Sequence, residues 1–104
     1  MLLDIRKDGD VITLKMGSGE EILGSYMGED AFSYTIDRPV TLSVGPKGGP
    51  ALTPYLMTVA PGRSRNLKIN KAMVVTTATT DKELADQYNS ALSGIQVAPT
   101  GFKL

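Results

Sequence analysis

Apolar and polar residues alternate with a period of two along most of the chain, then switch to a helical period near residue 80. In VITLKM, residues 11–16, Ile12, Leu14 and Met16 take one face and Val11, Thr13 and Lys15 the other, which predicts a half-buried strand. Residues 3–16 as a whole read as two short strands about a KDGD turn. GSG at 17–19 is a tight turn, and EEILGSYM predicts the next strand. Gly24 inside that strand marks a bend, a bulge or a close backbone approach. GED at 28–30 turns the chain again. In AFSYTIDRPVTLSV, Phe32, Tyr34 and Ile36 alternate against Ala31, Ser33 and Thr35, which aims both aromatics the same way. Pro39 interrupts that run and predicts an edge or a bulge. GPKGGP at 45–50 reads as an exposed loop, ALTPYLMTVAP as a strand and GRSRN as a turn. LKINKAMVVTTATT reads as a final strand with a kink near Asn70 and Lys71.

The helical period begins with a capping box, Thr80 followed three residues later by Glu83. Asp81 and Glu83 fall in the first turn, where the helix dipole favours negative charge. Leu84, Tyr88, Ala91, Leu92 and Ile95 form one apolar stripe, and Gly94 is placed to end the helix. This predicts an amphipathic helix over 81–93, within a helical region 80–95 that packs on the barrel by capping its open end or covering a ring face, and a frayed tail over 96–104. Hairpin-length connections require antiparallel pairing. About five strands in residues 1–79, strongly bent, predict a mainly β fold: a small SH3-like or OB-like antiparallel barrel with a C-terminal α-helix.

Composition narrows the chemistry. The 104 residues suit one domain, and 41% hydrophobic against 21% charged residues place the chain among globular rather than disordered proteins. It has no cysteine and no histidine, so disulfides, thiolate chemistry and a zinc or redox-metal site are not expected. No cofactor is expected. The opening MLLDIRKDGD lacks the basic flank and apolar length of a leader, and no run is long enough to span a membrane. A cytoplasmic setting fits. Net charge is zero, eleven cations against eleven anions, so nucleic-acid binding would need a local positive cluster.

The stretch VITLKMGSGEEILGSYMGEDAFSYTI then resembles the first sequence motif of the Sm-like family of ring-forming RNA-associated proteins. Its cadence appears as Leu14 and Lys15 with Gly17 or Gly19, then Gly24. Asp30 falls on the motif's aspartate, Phe32 on the position that stacks on a base, and Tyr34 where asparagine usually stands. INKAMVV occupies the place of the second motif. Asn70 and Lys71 match its kink without the Arg-Gly pair, and NKAM is similar to the corresponding run of the bacterial Hfq-type branch with its histidine lost. The resemblance covers roughly residues 9–78. The terminal helix and TPYLM ahead of a basic turn look like divergent Sm-like proteins encoded by phages. The resemblance implies an Sm-like barrel, a homo-oligomeric ring in which edge strands of neighbouring subunits pair, and single-stranded RNA as the partner. Long, β-prone, nearly uncharged edges in PYLMTV and AMVVTTAT are a separate reason to expect the edges to be covered.

Two readings stand for the candidate residues. Phe32 and Tyr34 either pack into the core or a subunit interface, or form a stacking platform at the ring lumen. Asn70 and Lys71 either sit solvated on a turn or contact base and phosphate there. Asp30 caps its turn and, by the resemblance, supports the binding loop. Arg63, Arg65 and Lys68, with Lys71, form the densest basic group, which a ring would repeat into a circle of positive charge. GPKGGP lacks the Gly-Lys-Ser/Thr ending of a nucleotide-binding loop. Glu20 and Glu21, and Glu29 and Asp30, are adjacent, and adjacent strand residues face opposite ways, which argues against a glycosidase pair. No enzymatic activity is expected. A purely structural ring, a phage assembly component without RNA binding, is the competing expectation.

Overall fold

The computed structural model describes residues 6–97. Six strands and one helix follow in order: β1 (Val11–Met16), β2 (Glu21–Glu29), β3 (Ser33–Val44), β4 (Pro50–Pro54), β5 (Leu67–Asn70), β6 (Val74–Thr79) and α1 (Lys82–Val97). The pairing is antiparallel throughout, in the order β4-β3-β2-β1-β6, with β5 beside the first part of β3. The expected five strands are therefore six. The expected closed barrel is an open, strongly bent sheet: β6 lies at one end and β4 and β5, both beside β3, at the other, and a 3₁₀ turn at Lys71–Met73 joins β5 to β6. The extra strand arises because the kink at Asn70 and Lys71 divides one run into two segments with different partners, β3 and β1.

The alternation in β1 sets the core. Ile12, Leu14 and Met16 are buried with Ile22, Tyr26, Ile36 and Ile69, and Tyr34, Tyr55 and Val74 pack against them. Three β-bulges bend the ladder, as extra residues do. Between Leu23↔Val40 and Ser25↔Asp37, β3 holds one residue more than β2, at Arg38 and Pro39. Arg38 sits at φ 46°, and Gly24 lies opposite. A Cβ on Gly24 would fall 2.5 Å from Ile36 Cγ2 and 3.1 Å from the Asp37 carbonyl oxygen, so the close approach read from the sequence is real. A second bulge in β2, at Met27 and Gly28 (φ 120°), and a third at Val75 in β6 complete the set.

Three element boundaries differ from expectation. PYLMTV is not strand: β4 ends at Pro54, and the chain turns through residues 55–60 into a 3₁₀ turn at Pro61–Arg63. The apolar run lacks a ladder partner there, because β5 already occupies the next stretch of β3. The helix is capped by Asp81, whose Oδ2 accepts from the Glu83 N–H at 3.1 Å. Thr80 is instead buried, its hydroxyl 2.8 Å from that of Thr13. The helix also continues past Gly94 to Val97. The strand placed at residues 3–5, the side chain of Ile95 and the tail over 98–104 lie outside the described residues.

Tyr88 fixes the helix to the sheet. It is fully buried, and its hydroxyl donates to the Asp37 carbonyl at 2.7 Å, with that of Arg38 at 3.1 Å, while the Ser25 N–H donates to it at 3.2 Å. The Arg38–Pro39 bulge leaves those carbonyls outside the ladder, and one phenol meets them.

Candidate nucleic-acid interface

The β2–β3 turn and the β5–β6 turn lie side by side, and with their flanking strands they gather six of the residues singled out from sequence. Asp30 Oδ1 accepts from the N–H groups of Phe32 and Ser33, both at 2.8 Å, an Asx turn that carries Phe32. Those two hydrogen bonds hold the Asp30 carboxyl below the usual aspartate range. Asn70 pairs with Ser33 across the ladder, and its Oδ1 accepts from the Ala72 N–H at 2.8 Å, capping the 3₁₀ turn. The Lys71 N–H then donates to the Phe32 carbonyl at 2.8 Å, tying one turn to the other.

The two aromatics separate rather than sharing a face. β3 starts at Ser33, so Phe32 belongs to the turn and stands 77% exposed, while Tyr34 packs against the core. Lys71 Nζ lies 5.0 Å from the Tyr34 ring centroid, within cation–π range. The resulting surface carries an exposed phenyl ring on one turn and, on the turn bonded to it, a lysine that rests on a half-buried phenol.

Sequence reasoning missed the partner that completes this arrangement. Glu29 Oε2 accepts from Lys71 Nζ at 2.7 Å, and its Oε1 accepts from the Tyr26 hydroxyl at 2.8 Å. The Lys71 and Tyr26 hydrogen bonds hold the Glu29 carboxyl below the usual glutamate range. Burial, with the Glu29 contact second, pushes the Tyr26 phenol up to about 12. The signal available was the Gly-Glu-Asp turn, whose glycine permits the bulge that aims Glu29 toward Lys71.

The basic group is divided. Lys68 stays at the site, 3.5 Å from Asp30. Arg65 is drawn away to Asp37, 2.6 Å from its Oδ1, where Arg38 also pairs at 2.9 Å and the Asn66 N–H donates at 3.1 Å. Burial alone would raise the Asp37 carboxyl, but these donors together bring it below the ordinary range. Arg63 ends the 3₁₀ turn in the loop before β5 and is exposed. Glu29 and Asp30 thus balance Lys71 and Lys68 charge for charge.

An open groove of about 350 Å³ lies between the β1–β2 turn and the β3–β4 hairpin. Glu20, Glu21 and Gly49 line it, with no lysine or arginine among the lining residues. Among the described residues no group of three or more acidic residues could hold a metal ion, and no helix is long and apolar enough to cross a membrane. No protein-family model matches this chain, and no curated protein matches it.

Proposed function

We propose that the chain binds single-stranded RNA at the paired turns and assembles into a homo-oligomeric ring that repeats this site. The observation that carries the reading is Phe32: an unpartnered ring, 77% exposed, held by an Asx turn and tied through its own carbonyl to Lys71. A largely exposed phenyl on a turn whose carbonyl holds the Lys71 backbone suits a base and its phosphate, because every base offers a face to stack on. Asn70 spends its carbonyl oxygen on the turn and keeps its amide N–H groups for a ligand's acceptors. Tyr34 supports Lys71 from below. The ring follows the resemblance to the Sm-like family, and the open sheet supports it, since β4 and β6 leave two outer edges for neighbours to pair.

The test is a titration of labelled single-stranded RNA with wild type and Phe32→Ala across a salt series, with assembled mass read by light scattering. Loss of the stacking ring should weaken binding by about 1–3 kcal/mol, roughly five- to 150-fold. A second reading, a structural or assembly ring without RNA binding, is favoured by the charge balance of Lys68 and Lys71 with Asp30 and Glu29. Equal, weak binding by both proteins at every salt concentration would select it.

A further inference from the structure

The ion pair between Glu29 and Lys71 does more than neutralise a surface lysine. It joins two side chains that are each held independently. Glu29 keeps the Tyr26 hydroxyl on its other oxygen, and Lys71 keeps the face of Tyr34. The pair is only partly exposed, 28% for Lys71 and 37% for Glu29, and Nζ sits 2.7 Å from Oε2. Either partner can therefore let go of the other without losing its place. The bulge at Gly28 (φ 120°) supplies the extra residue that brings Glu29 opposite Tyr34 and so to this lysine.

We propose that Glu29 is a built-in competitor for phosphate at Lys71, an autoinhibitory contact that an RNA backbone displaces when it binds. The proposal rests on the RNA-binding reading above. A carboxylate and a phosphodiester are both monoanionic oxygen acceptors for an ammonium group. The phosphate gains its place only when Phe32 stacking adds to the exchange, so free phosphate binds poorly and a stacked nucleotide binds well. Lys68 and Asp30, at 3.5 Å, repeat the arrangement more loosely. The Lys68–Asp30 pair is longer and more exposed, at 65% and 54%, so water screens it more and Glu29 is the stronger competitor. The other charges facing the pair are Arg6, which acts on both Glu29 and Tyr26, and Asp8, which acts on Tyr26.

Anisotropy titrations with a labelled single-stranded oligouridylate should compare wild type, E29Q and F32A over a salt series. The glutamine keeps an acceptor for Tyr26 and removes the charge. E29Q should bind about fivefold tighter. The slope of log affinity against log salt should steepen by about 0.7, because an unpaired Lys71 now releases counterions. In wild type, carbon NMR of the Glu29 carboxyl should show its pKa rising toward the ordinary glutamate value when RNA is added, a readout that needs no variant to fold. Tight binding by E29Q with none by wild type would mean that RNA does not displace the contact, which overturns the displacement. If wild type binds and F32A weakens it, yet E29Q is no tighter and the carboxyl titration does not move, Glu29 only orders the turn and the proposal falls alone. If neither wild type nor E29Q binds, it falls together with the RNA reading.

Discussion

Gly24 shows how much a single residue can fix. Its missing side chain lets β3 pass with Ile36 Cγ2 at 2.5 Å and Pro39 Cα at 3.1 Å from where a Cβ would stand. Gly24→Ala should cost about 1–3 kcal/mol, read as a lower urea midpoint, since two of the three neighbours are backbone and cannot turn aside. An unchanged midpoint would mean the bulge relaxes freely. The need for a glycine there was legible from its position inside a strand pattern. What it faced was not, because the bulge depends on Arg38 adopting φ 46°, a conformation that no local pattern announces. Phe32 carries the same lesson. Period-two counting aimed it with Tyr34, but the Asp30 carboxylate captures two N–H groups first and delays the strand to Ser33.

Among the elements, β1 and the helical stripe were the most legible, because periodicity alone determines which face is buried. β4 was the least. PYLMTV has strand composition, but a strand needs a partner, and partner availability is a property of the sheet. The prolines that bracket β4 become intelligible once the ladder is known. The Tyr55 N–H donates to the Pro39 carbonyl at 3.0 Å, and Pro54 pairs with Val40, so hydrogen bonding alternates to leave Pro50, Leu52 and Pro54 facing outward. The N–H groups that Pro50 and Pro54 lack therefore cost the ladder nothing. The same counting on β6, from the Thr80 N–H to the Val11 carbonyl at 3.2 Å, turns Thr77 and Thr79 outward. In the proposed ring, β6 is therefore the richer donor edge. Thr79→Pro should shift the assembled mass toward smaller species in light scattering while its thermal unfolding stays within a few degrees of wild type. An unchanged mass would place the subunit contact elsewhere.

For the whole molecule, the charged groups define the pH range of stability. Asp37, Asp30 and Glu29 all have carboxyls lowered in the folded chain. A lowered carboxyl favours the fold above its ordinary value and loses that contribution as pH falls through the ordinary range toward the lowered one. Tyr26 works in the opposite direction. Its phenol rises from 10.0 to about 12, so its contribution is intact below 10 and disappears as pH climbs toward 12. Thermal unfolding should therefore be nearly flat from about pH 5 to 9, fall in acid below about 4 and fall again in alkali. Asp37→Asn should flatten the acid limb, and a limb that keeps its slope would assign acid sensitivity to other carboxylates. The buried Asp37 cluster was hidden in TIDRPV: the adjacent Arg38 supplies one cation, but the other, Arg65, lies 28 residues further on.

The pairing of β6 with β1 has a consequence in time. Ile12 lies opposite Thr79, and Lys15 opposite Thr76, so the strand made first among the described residues has its second neighbour made last. A ribosome has to finish nearly the whole sheet before β1 can close its outer edge. Synthesis thus keeps one uncovered strand waiting from the emergence of residues 11–16 until residues 74–79 follow.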